Sequence, residues 1–181
     1  LNLPPGFSAS VFSAGRMVRL RFMAFSDDGV MHLADMNQGV VIALPDRDKD
    51  GVADSHIIAA EGFRYNHSLA FYKGDLYVGD THQVLRLRDP DGDLVYEERE
   101  VFIDDIPSEA WHTTRTIVFD ERDEKIYLGV GPPCDLCRPQ SPVAGGTSDP
   151  VAPNDEWTSI LEFNIDGTGR RIFATGVRNA V

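Results

Sequence analysis

The sequence is poor in the features that mark several large protein classes. No apolar run approaches the roughly 18 residues of a membrane-crossing helix, so no helical span is expected. Basic residues are in deficit: 17 Lys and Arg stand against 29 Asp and Glu, a net charge of −12. That balance speaks against nucleic acid, whose phosphates require a Lys/Arg footprint, and is compatible with cation binding or simple solubility. No glycine-rich phosphate loop, Ser/His/Asp arrangement or paired nucleophile motif is present. No secretory leader is visible, and the first residue is not Met. Cysteine is scarce, with Cys134 and Cys137 forming an isolated Cys-x-x-Cys. Zinc would need further ligands, c-type haem attachment would need His where Arg138 stands, and no βαβ pattern supports a thioredoxin-like site. A local disulfide in an oxidising compartment and two free thiols remain as readings.

What is present is a repeat. Residues 21–35, 67–80 and 115–130 share one pattern, an apolar strand, an acidic or glycine turn and a second strand. Arg21, His67 and Arg115 occupy the same column, with spacings of 46 and 48 residues. A period of roughly 40–50 residues, each unit holding several short strands, marks β-propeller blades. The fold expected is therefore all-β, a propeller segment of about three blades plus the start of a fourth, from a longer polypeptide. The expected blades cover about residues 8–45, 55–90 and 94–175, the last with an insertion at 132–156. An open arc of blades leaves faces to be covered by further blades or a second copy.

Within this frame, residues 10–12, 20–25, 30–34 and 40–44 read as the first blade's strands, separated by Asp-Asp-Gly and Asn-Gln-Gly turns. Between the expected first and second blades lies Asp46-Arg47-Asp48-Lys49-Asp50-Gly51-Val52-Ala53-Asp54. Asp46, Asp48, Asp50 and Asp54, with the Val52 carbonyl and a turn at Gly51, can wrap oxygen ligands around one Ca²⁺. Position 12 of the loop is Ile57 rather than Glu and no helices flank it, so this is no EF-hand. A solvated acidic turn is the alternative. Asp89 to Asp93 reads as a plain acidic turn.

In a propeller the leading ends of the inner strands converge on the central axis. Arg21, His67 and Arg115 are thus expected around one pocket mouth, with His112 over it, and with Arg178 and Asn179 opening a fourth inner strand. Two guanidinium planes beside an Asn suit a carboxylate-bearing ligand, and a His there can take a proton from a substrate hydroxyl. The bland reading keeps Arg21 and Arg115 as inter-blade ion-pair partners and His67 as a satisfied interior group. His32, His56 and His82 fall in or beside outer strands and read as structural or solvent-facing.

Several segments together resemble the glucose/sorbosone dehydrogenase family. They are His112-Thr-Thr-Arg-Thr-Ile-Val-Phe with Lys125-Ile-Tyr-Leu-Gly-Val-Gly, the Cys-x-x-Cys, Ile160-Leu-Glu-Phe-Asn-Ile-Asp-Gly and the closing Gly176-Val-Arg-Asn. Leu3-Pro4-Pro5-Gly6-Phe7 and the acidic loop look like its sorbosone-type branch. The resemblance implies a six-bladed propeller binding pyrroloquinoline quinone (PQQ) and oxidising a sugar or aldehyde. It implies His112 as the base that accepts the hydroxyl proton, Arg178 and Asn179 as contacts to the quinone oxygens, and His67 near a sugar-contacting position. It also implies that the cofactor-side calcium lies in later blades, so the Asp46 loop is a different, structural site. Trp111 stands where the family carries an acidic neighbour of its histidine. A periplasmic or secreted location is expected, with an unknown electron acceptor. The rival classes are a non-catalytic, calcium-stabilised propeller binding glycans or proteins, and a metal-dependent lactonase-like propeller. The Arg and His in the inner column count against the latter.

Overall fold

The computed structural model describes residues 2–15, 17–108, 112, 114–134 and 154–180. Twelve strands run in chain order: β1 Leu20–Phe25, β2 Met31–Asp35, β3 Val40–Leu44, β4 Ile57–Glu61, β5 Ser68–Tyr72, β6 Asp75–Asp80, β7 Gln83–Arg88, β8 Glu98–Ile103, β9 Ile117–Asp120, β10 Lys125–Val130, β11 Ser159–Asn164 and β12 Arg171–Thr175. They form three four-stranded antiparallel meanders, β1-β2-β3-β4, β5-β6-β7-β8 and β9-β10-β11-β12. Each is one propeller blade. Strands β1, β5 and β9 are the inner ones and lie next to one another in sequence order. Among the described residues no helix is long and apolar enough to cross a membrane.

The blade boundaries differ from the sequence-based ones. Strand β4 pairs with β3, so residues 57–61 close the first blade rather than open the second. Strand β8 likewise pairs with β7 and closes the second blade. The acidic loops at Asp46 and Asp89 therefore lie inside blades one and two, each between the third and fourth strands. The repeat could be aligned on inner strands only, and an outermost strand after a long acidic loop carries no mark of the sheet it will join. Residues 10–12 are not a strand.

Side-chain alternation explains the packing, because successive residues of a strand point to opposite sheet faces. In β6, Leu76 and Val78 face the first blade and join Ala34, Val41, Ala43 and Ala59 in one core. Tyr77, between them, faces the third blade and packs with Ile126, Leu128, Leu161 and Phe163. In β3 the opposite parity, Ile42 and Leu44, meets Phe12 and Met17 of the N-terminal segment, which covers the first blade's outer face. Blade two is thus sandwiched. On the far face of blade three, Val118 and Phe173 stay more than half exposed.

The inter-blade cores also hold aromatic and polar links. His32 is fully buried and not solvent-facing. It hydrogen-bonds the Val30 carbonyl and the Tyr96 hydroxyl across blades and stands edge-on to Phe71. Burial holds its imidazole below the ordinary pKa. Phe163 is buried between blades two and three, so Phe163→Ala removes a ring that the surrounding sheets cannot refill. The expected cost is about 3–5 kcal/mol, read as a shift of the urea midpoint at unchanged slope; a loss under about 1 kcal/mol would mean this core is not the one that holds the blades together.

Candidate functional site

The meander order sorts loops onto two ends of the blades. Each inner strand starts at one end, the second strand finishes there, and the fourth strand returns there. That end gathers the segments leading into β1, β5 and β9, the β10–β11 connection and the residues after β12. The β3–β4 and β7–β8 loops lie at the opposite end. His112, Arg178 and Asn179 are therefore on one side, and the acidic loops on the other.

Small residues let the blades meet at the first end. A Cβ on Gly79 of β6 would stand 2.5 Å from the Arg115 carbonyl oxygen, and one on Gly131 would stand 2.8 Å from the His112 Cβ and 3.2 Å from the Asn179 Oδ1. A side chain at Gly79 would push the next blade's leading segment away, and one at Gly131 would displace His112, which leads into the same blade. Hydrogen bonds stitch the same contact. The Ile117 amide donates to Ser68 Oγ at 3.1 Å, and Thr116 Oγ1 donates to the Ala180 carbonyl at 3.0 Å. Thr114 Oγ1 donates to Asn179 Oδ1. The structure thus brings His112, Thr114 and Asn179 together around Gly131. Arg178, next in chain, is exposed, and no described residue after β12 forms a strand.

Arg21, His67 and Arg115 do come together, but in different environments. Arg21 is exposed on β1. His67 is 3% exposed and its Nδ1 has no partner among the described residues. Burial, reinforced by the positive charges of Arg21 and Arg115, pushes its pKa down to about 4, so this imidazole is neutral at pH 7. Arg115 is fully buried. Its guanidinium donates to the carbonyls of Thr114 at 2.7 Å, His112 at 3.3 Å and Pro107. Burial lowers its pKa to about 10, which leaves it charged. Arg115 is not an exposed, ligand-facing cation in this structure: the incoming strand turns it into the blade interface, where its two terminal nitrogens donate to backbone carbonyls and its buried Nε has no partner among the described residues. Among the described residues the inter-blade ion pair of the bland reading is not seen either.

At the other end, one carboxylate oxygen each from Asp46, Asp48 and Asp50 lie within 4.8 Å of one another. The Asp50 and Gly51 amides donate to Asp46, and the Val52 amide to Asp50, which folds the loop around its carboxylates. Asp54 accepts the Arg47 amide at 2.7 Å and stands outside the three-carboxylate cluster. Asp89, Asp91 and Glu97 form a second such cluster in the matching loop of blade two. The plain-turn reading missed it, although Glu97 follows Asp89 at the spacing by which Asp54 follows Asp46. Cys134 is disulfide-bonded. Cys137 and Trp111 lie outside the described residues. His56 is exposed and hydrogen-bonds Ser13 at 2.6 Å, while His82 is half-buried.

The His67 environment has a measurable consequence. The unfolded chain takes up a proton near pH 6.5 that the folded protein refuses down to about pH 4. Stability should therefore fall as pH drops through that window, by up to about 3 kcal/mol from this group, and level off below it. In His67→Gln this component should vanish, so urea midpoints measured between pH 7 and 4 should fall less steeply. An unchanged slope would show that His67 is protonated in the folded protein.

Comparison with known proteins agrees with the fold. The holo PQQ domain of pyranose dehydrogenase from Coprinopsis cinerea superposes with a TM-score of 0.70 at 14% identity, covering 92% of this chain and 41% of that one. The calcium structure of a Trichoderma reesei carbohydrate-active enzyme of family AA12 gives 0.71 at 17% identity, covering 94% and 43%. A Thermus thermophilus protein, provisionally named an oxidoreductase (glucose dehydrogenase), gives 0.63 at 20% identity, covering 91% and 54%. The chain thus spans roughly half the length, or less, of the solved structures it matches. No curated protein matches the sequence. The model of a domain of unknown function, DUF7133, matches residues 1–137, most of the chain, and the chain belongs to that family.

Proposed function

We propose that the chain forms the base-bearing half of a quinoprotein oxidoreductase propeller, of the sorbosone-type branch, that oxidises a sugar or aldehyde. The observation that carries this reading is the meeting of His112, Thr114 and Asn179 over Gly131 at the convergent end of the inner strands. Likeness of fold to a holo PQQ domain supports it. His112 is half-buried there, so its imidazole can reach a substrate hydroxyl and accept its proton. Arg178, exposed beside Asn179, offers a fork of N–H donors to carboxylate or carbonyl oxygens. Arg21 adds a second exposed cation at the same end. This donor set, cationic within an acidic chain, fits an anionic, carboxylate-bearing quinone such as PQQ. A bound quinone would supply the hydride acceptor. His67, neutral and buried under Arg21, can serve as a hydrogen-bonding wall to a sugar hydroxyl, but not as a cation.

Calcium belongs to the opposite end in this reading. Three clustered carboxylates in a loop already folded around them fit one Ca²⁺, held for stability and remote from the chemistry. The Cys134 disulfide supports a periplasmic or secreted location.

The test uses the full-length protein, titrated with PQQ and Ca²⁺ and followed by absorbance, with a panel of aldoses and aldehydes. Binding with substrate-dependent bleaching is expected. His112→Ala should abolish turnover while retaining quinone binding, and equal turnover in that variant would refute the base assignment. No binding at micromolar quinone would favour instead a calcium-stabilised propeller that binds glycans or proteins. Separately, a chelator should lower the melting temperature of the wild type, and Asp48→Ala or Asp50→Ala should remove that sensitivity. A melting temperature indifferent to chelation would eliminate the calcium site.

A further inference from the structure

The three blades hold the segments leading into their inner strands by two opposite devices. In blade one, Asp35 ends β2 and its carboxylate accepts the amides of Val18 at 2.7 Å and Arg19 at 3.1 Å. In blade two, Asp80 ends β6 and accepts the amides of Arg64 at 3.2 Å and Tyr65 at 2.7 Å. Both carboxylates are buried. Buried Asp35 would by itself be harder to ionise, yet the amides of Val18, Arg19 and Gln38 and the Gln38 side chain together hold its pKa below the ordinary value. The residue that ends β10 in blade three is Val130, which has no side-chain acceptor.

The register makes these positions equivalent. Val18, Arg64 and His112 each stand three residues before the column of Arg21, His67 and Arg115. The residue that two blades grip through its amide with a carboxylate is, in the third, His112. There the grip comes from the column residue itself, through carbonyls. One guanidinium reaches Pro107, His112 and Thr114, spanning the run that carries His112. A planar fork with five donors can bridge several acceptors in fixed directions, which no ammonium can. Full burial keeps water from competing for it.

We infer that Arg115 is the positioning residue of the site: it sets where the His112 imidazole stands by clamping the carbonyls on either side of it, in place of the Asp clamp of the other blades. The inference deepens the proposed function, and only its kinetic arm depends on that reading.

The experiment compares wild type with Arg115→Lys and Arg115→Gln in the full-length protein, with folding checked by melting. The first readout is the rate at which diethyl pyrocarbonate modifies His112, with exposed His56 as internal standard, and it requires no turnover. The His112 rate should change several-fold in both variants while that of His56 does not. An unchanged His112 rate in a folded variant overturns the inference. The second readout is kinetic: kcat should fall about 10- to 100-fold, as for a base displaced by about 1 Å, with KM nearly constant. Altered labelling without any wild-type turnover would retain the clamp and reject the base. Normal turnover and labelling in Arg115→Lys would do the reverse. If neither variant folds, nitrogen-15 NMR of the wild type decides. Slow guanidinium rotation in Arg115, with proton contacts to Pro107 and His112, supports the clamp, and free rotation overturns it.

Discussion

Every blade must bury two faces, and each inner strand must come close enough to the preceding blade to do so. That close approach is the constraint on which the rest depends. It is why the next-to-last residues of the second strands are small, with Ala34 on β2, Gly79 on β6 and Gly129 on β10. At Gly79 the neighbouring Arg115 carbonyl sits where a Cβ would be, and at Gly129 the Ala180 carbonyl lies 3.2 Å from that position. Strand alternation then sends Leu76 and Val78 one way and Tyr77 the other, so the middle blade serves two cores at once.

The same closeness fixes the polar groups at this end. Segments that lead into inner strands are squeezed between blades, where backbone amides and carbonyls cannot reach water and must find partners. Asp35 and Asp80 answer that need with negative charge, and Arg115 with positive charge. The polar groups at this end are therefore fixed by the fold before any ligand arrives. Such groups cost no reorganisation when a reaction develops charge nearby.

The acidic loops illustrate a separate economy of the architecture. They sit between third and fourth strands, at the end away from His112, where insertions do not disturb the axis. Two blades carry three-carboxylate clusters in this place, whereas blade three has the short turn at Asp166 to Gly169, closed by Thr168 hydrogen bonds to Asp166. Under the proposed function, the opposite end, with Arg21 and Arg178, is the one that would receive an anionic ligand.

Much of this was legible in the residues alone. Strands 20–25, 40–44 and 68–72 follow from β-branched and aromatic runs between Gly and Asp turns, because strand and turn preferences are local. The Asp46, Asp48 and Asp50 cluster follows from short-range spacing for the same reason. Blade membership of residues 57–61 and 98–103 was not legible, since an edge strand pairs with whichever sheet edge the chain returns to. Nor could the column of Arg21, His67 and Arg115 reveal that the first is exposed, the second buried and neutral, and the third buried and charged. Those states are set by the neighbouring blade, through desolvation and through carbonyls brought in from outside the strand. Local pattern determined the repeat and the elements; the packing of one blade on the next decided which repeated residue meets solvent and which is buried against backbone carbonyls.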